Sequence, residues 1–162
     1  MNTKLFLVVL AVMLSACTPA RNLEFEISGA INFDLKAVSA DMNSSANFVV
    51  LELYNTNPNE EQPTAGGYIN IYGLQAVGVG DYEVRDAPKS ENEPHVIPSM
   101  YTLQTGFSFY QNPSGTFRVT AFDGNRLSVT FDITVQDGNG AQVRLRGTLN
   151  NIPFNGGIYT GS

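Results

Sequence analysis

The stretch L-S-V-T-F-D-I-T-V, residues 127–135, decides the fold. Leu127, Val129, Phe131, Ile133 and Val135 alternate strictly with Ser128, Thr130, Asp132 and Thr134. Successive side chains of a strand point to opposite faces, so this period of two describes a strand with one face buried and one in water. Just before it, Phe117, Val119 and Ala121 alternate with Thr116, Arg118 and Thr120. Just after it, Val143, Leu145 and Leu149 alternate with Gln142, Arg144, Arg146 and Thr148, with Gly147 at an inner position. D-G-N (123–125) and D-G-N-G (137–140) separate the three runs, and both are turn chemistry. This is a three-strand meander.

Parity adds a register. The inward residues are odd-numbered in all three strands, so opposed pairs have even position sums. Loops of three or five residues satisfy this, and a two-residue turn does so only if a bulge resets the count. The same register sets Asp132 opposite Arg144 or Arg146 on the solvent face, where a charge pair contributes little.

The remaining chain repeats the pattern less cleanly. Leu23, Phe25 and Ile27 alternate with Glu24 and Glu26, and Ile31, Phe33 and Leu35 continue the alternation beyond Gly29. Residues 48–54 (F-V-V-L-E-L-Y) read as a central strand, 68–72 as another, and 81–84 as a short one. Residues 101–110 read as a strand broken near Gly106, and only 37–47 has the composition of a short helix. Eight or nine strands without βαβ spacing make an all-β domain: an antiparallel β-sandwich, or in the alternative a small up-and-down β-barrel. Fifteen Gly, eight Pro and seventeen Phe plus Tyr suit that class, and 162 residues suffice for one core.

Two polar stretches interrupt the strands. Residues 55–67 (N-T-N-P-N-E-E-Q-P-T-A-G-G) and 86–98 (D-A-P-K-S-E-N-E-P-H-V-I-P) are the candidate contact loops for a protein or envelope partner. The net charge is −6 with no basic run, and a phosphate-tracking groove needs clustered Lys and Arg, so nucleic acid is not an expected partner.

The N-terminus carries a different signal. One Lys precedes a ten-residue apolar run (5–14), half the length a transmembrane helix needs and right for the apolar core of a secretory signal. The run closes in L-S-A-C, which ends on the only cysteine of the chain, Cys17. This segment resembles the lipobox of bacterial lipoproteins. The resemblance implies that 1–16 is a signal peptide, that Cys17 becomes residue 1 of the mature chain, and that its thiol carries a diacylglycerol. Thr18, in place of the Asp of inner-membrane retention, implies the outer membrane. Residues 17–22 are then a short tether and 23–162 the β domain. The mature chain would carry eight basic and fifteen acidic side chains.

A second resemblance is broader. Residues 68–84, with G-L-Q-A-V-G-V-G-D-Y-E-V, and 114–135 look like a strand and a hairpin of small β-rich bacterial lipoproteins. Val129 departs from the Gly usual there, and no functional residues come with the likeness.

Chemistry is sparse. The single histidine, His95, lies between two prolines and reads as an exposed loop residue. A zinc site needs three or four ligands from Cys, His and carboxylates, and the soft donors are nearly absent. Asp137–Gly140 shares residues with calcium loops but not their spacing. The carboxylate pairs Glu24/Glu26, Glu60/Glu61 and Glu91/Glu93 fit exposed strand faces and loops. The expectation is a non-enzymatic binding or structural domain without catalytic residues, metal or cofactor, with Cys17 as its one modified site. The alternative is a small-ligand carrier whose barrel would be hollow.

Overall fold

The computed structural model describes residues 23–31, 36–43, 48–90, 92–103, 106 and 108–160. The signal segment, the tether and Cys17 lie outside the described residues, as do Phe33, Leu35, Glu91 and residues 44–47. The strands are β1 (Leu23–Gly29), β2 (Ala37–Asn43), β3 (Phe48–Tyr54), β4 (Ala65–Tyr72), β5 (Gly80–Val84) and β6 (His95–Thr102). They continue as β7 (Ser108–Phe109), β8 (Gln111–Phe122), β9 (Arg126–Gln136), β10 (Gln142–Pro153) and β11 (Tyr159–Thr160). One helical turn, α1 (Leu74–Val77), precedes β5. The protein is all-β.

The strands form one continuous sheet in the order β1-β10-β9-β8-β5-β6-β4-β3-β2-β11, with β7 added on β6. The sheet curls on itself, so the inner faces of its two halves enclose a single core. The corner is β5. Gly80–Tyr82 pair antiparallel with β8, and the next two residues, Glu83 and Val84, pair parallel with β6. That short pair makes the sheet mixed where a purely antiparallel one was expected.

The meander follows its alternation closely. Val143 faces Val135, Leu145 faces Ile133 and Leu149 faces Val129, so the β9–β10 loop holds the five residues 137–141. Between β8 and β9, Phe117 faces Phe131 and Val119 faces Val129, but Ala121 faces Ser128. A bulge has reset the count there, which allows the tighter turn. A second bulge in β10 places Asn151 at φ 60, a conformation Asn tolerates, and its amide N–H donates to Ser128 Oγ at 2.9 Å.

Among the described residues, large apolar side chains fill the interior. Phe109, Phe117, Leu51, Leu53, Ile69, Ile71, Ile133 and Leu145 are fully buried, and Phe117 stacks on Phe131 with ring centroids 6.1 Å apart. The described clefts open on the outside of the sheet or among the loops.

Three local readings are corrected. Residues 37–43 form a strand, because β2 pairs with β3 along its whole length. Ala37 to Ala40 are buried on both faces, which erases the alternation that would have marked them. The two polar stretches are shorter than they read, since β4 begins at Ala65 and β6 at His95. His95 itself is a strand residue with no exposed surface.

Candidate binding surface

The outer faces of the two halves carry different chemistry. On β9 and β10 the outward row is charged: Asp132 Oδ1 and Oδ2 accept from Arg144 Nε and Nη2 at 2.7 and 2.5 Å. Arg146, although directly opposite Asp132, stands 3.9 Å away, so the ion pair runs along the diagonal. On β3, β4 and β6 the outward positions are rich in aromatic residues: Phe48, Tyr54, Tyr68, Tyr72 and Tyr101. Register aligns Ser39, Glu52, Tyr68 and Ser99 across four strands, and Tyr54, Gly66 and Tyr101 across the next row.

Two glycines shape that second surface. A Cβ on Gly66 would lie 2.3 Å from the Leu53 carbonyl oxygen and 2.8 Å from Tyr101 Oη, so the missing side chain lets Tyr101 lie across β4. On the inner face, a Cβ on Gly67 would meet Met100 Sδ at 2.2 Å. Laid over Gly66, Tyr101 stacks against Tyr68 at a centroid distance of 5.6 Å. Pro63, Leu103 and Tyr110 close the sides of an open cleft of about 680 Å³ above this pair. No charged side chain lines it.

Beside the cleft, Tyr54 donates a short hydrogen bond to Glu52 Oε2, and Ser39 Oγ lies 3.3 Å from the same oxygen. Burial, reinforced by the bond to Glu52, pushes the Tyr54 phenol up to about 12. Burial, with Tyr68 beside it, does the same to Tyr101. Raised phenols keep their protons at neutral pH, so Tyr54 serves Glu52 as a hydrogen-bond donor and is not activated as a nucleophile.

The two candidate loops lie at opposite ends of the β4–β6 ladder, since Ala65 faces Thr102 and Tyr72 faces His95. They do not form one rim. The first is stapled shut by Asn55, whose Oδ1 accepts from the Thr64 and Ala65 amides, each at 3.1 Å, and whose Nδ2 donates to Thr64 Oγ1 at 2.9 Å. One flank of this loop, Gln62 and Pro63, walls the aromatic cleft. Its other flank, Thr56, Asn57, Glu60 and Glu61, shares a separate cleft with Leu23 and Lys36.

The second loop covers His95. The imidazole stacks on Tyr72 at 4.5 Å and 3°, and Tyr72 packs on Phe48 at 4.8 Å. Nδ1–H donates to the Glu93 carbonyl at 2.8 Å, while Nε2 accepts the Lys89 amide at 3.3 Å. Both ring nitrogens hold backbone, which makes His95 the post around which the loop is wound. Lys89 Nζ adds ion pairs to Glu83 at 3.0 Å and Glu93 at 3.7 Å.

Other sequence candidates have structural duties. Asp137 Oδ1 accepts the Asn139 and Ala141 amides at 2.9 and 2.8 Å, closing its own turn. Among the described residues no three metal-ligating side chains stand together. Glu26, Glu60, Glu61 and Glu93 are all exposed. The aromatic cleft escaped sequence reading because its members come from four separated segments, and only the clustering of Tyr in 54–110 hinted at it.

No known protein family matches the chain, and neither the curated proteins nor the solved structures contain a significant match.

Proposed function

We propose that this chain is a lipid-anchored lipoprotein of the bacterial cell envelope, held at the outer membrane through Cys17, whose β domain binds and does not catalyse. The anchor rests on L-S-A-C at the end of the ten-residue apolar run. The binding surface rests on one observation above the rest: an uncharged aromatic cleft on the outside of a sheet whose other half presents Asp and Arg. Open apolar ground of that kind marks contact sites on soluble domains. Contact therefore centres on the cleft and the loop beside it, with the His95 loop in a structural role. The filled core lends the carrier reading no support.

Three measurements test this. Cys17→Ser should take up no labelled fatty acid and accumulate as uncut precursor; label entering that variant refutes the anchor. Replacing Tyr68 and Tyr101 together by Ser should abolish crosslinking of the domain to envelope components, while Arg144→Gln leaves it intact. Hydrolytic turnover lost on Glu52→Gln would show an enzyme instead.

A further inference from the structure

We propose that the occupant of the aromatic cleft is the interfacial layer of the bilayer that carries the anchor, so that the tethered domain lies down on its membrane along this face. The inference rests on the reading of Cys17 as lipidated. Five large apolar side chains are prominently exposed among the described residues, and three of them surround this cleft: Tyr68 (37%), Leu103 (59%) and Tyr110 (54%). Tyr has an apolar ring and a polar tip, which suits the headgroup level of a membrane. The lining holds no charge that contact with lipid would have to desolvate.

Position supplies the second argument. Leu23, where the described domain begins, shares a cleft with Thr56, Asn57, Glu60 and Glu61, one flank of the 55–64 loop. The other flank of that loop walls the aromatic cleft. Leu23 stands six positions after Cys17, a span of at most about 20 Å even when fully extended. The anchor thus holds this side of the domain within reach of the bilayer surface. A weak interfacial contact becomes effectively intramolecular once tethered, and needs little intrinsic affinity. Glu60 and Glu61 border the same side, so a zwitterionic surface is favoured over an anionic one.

The chain has no tryptophan, which makes the test direct. Full-length lipidated protein carrying Leu103→Trp is reconstituted into zwitterionic vesicles containing brominated acyl chains. Val79→Trp, similarly exposed at 54% but outside the cleft lining, is the reference, and Tyr110→Trp is a second reporter should Leu103→Trp fold poorly. The cleft reporter should shift to the blue and be quenched at least threefold more than the reference, and less so when anionic lipid is added. Equal quenching at both positions overturns the proposal. An unquenched cleft reporter on protein that floats with the vesicles overturns it too, and leaves the anchor standing. Emission that responds to soluble envelope glycan or protein but not to lipid assigns the cleft to that partner and overturns the membrane contact. Protein that neither floats nor takes up labelled fatty acid overturns both the anchor and this inference.

Discussion

The outward faces of β9–β10 and of β3–β4–β6 share one backbone geometry and have opposite surroundings. On the first, Thr130, Asp132, Thr134, Arg144 and Arg146 stand on the wet face, and alternation is complete along β9 and holds in β10 up to Arg146. On the second, Tyr68 stacks on Tyr101, Tyr72 stacks on His95 beneath a loop, and Tyr54 is hydrogen-bonded to Glu52. A sheet face is polar only where water is its neighbour. Where a loop or a further contact covers it, the outward positions turn aromatic and the period of two fades.

The sharpest way to break this contrast is to treat the inner and outer residues of one strand alike. Phe131→Ala removes a ring stacked on Phe117 in the filled core and should cost about 3–5 kcal/mol. Its neighbour Thr130→Ala should stay within about 0.5 kcal/mol. Denaturant melts of the two variants compare them directly, and equal losses would mean that the meander has no wet face.

On the aromatic half, an outward residue should behave like a core residue. His95→Leu leaves the Lys89 amide and the Glu93 carbonyl without the bonds the imidazole provides, at about 1–3 kcal/mol. Hydrogen exchange should speed selectively in 86–94. Uniform acceleration across the domain would show that His95 holds the core and not the loop.

Gly66→Ala tests the cleft itself. Its Cβ meets the Leu53 carbonyl oxygen, a backbone atom that cannot swing aside, so overpacking of about 1–3 kcal/mol is expected. The Tyr68–Tyr101 stack should loosen with it, visible as altered near-ultraviolet dichroism. An unchanged spectrum would mean that Tyr101 does not need the glycine.

The smallest effects separate the faces by pH. Tyr54 and Tyr101 on the aromatic face, and Tyr82 in the core, are raised to about 12 by burial, so their folded forms favour the neutral phenol. That stability is fully present below the ordinary value of 10 and is lost as pH rises toward about 12. Ultraviolet titration should show three late phenols. On the charged face the sign reverses. The Arg144 guanidinium, hydrogen-bonded to Asp132, holds its carboxyl below the ordinary 3.8, so its contribution is present above that value and fades as pH falls through the lowered one. Arg144→Gln should flatten the acid limb of a melting-temperature profile and leave the alkaline limb untouched; a change in the alkaline limb would couple two faces that the geometry keeps apart.

Sequence alone determined the meander and the odd-numbered inner face of its central strand, because a strand half in water writes its burial into every second residue. It also carried the all-β class, and the L-S-A-C motif on which the proposed anchor rests. Tertiary structure alone decided what covers the other half. Nothing near residue 95 announces that the loop before it will bury the imidazole, and nothing near 37–40 shows that both faces of the strand are covered there. The cleft likewise exists only because Gly66 lets Tyr101 reach across β4 to Tyr68, 33 positions away in the chain. Period and turn chemistry are properties of neighbours along the chain, whereas cover is supplied by segments that meet only after the sheet has curled.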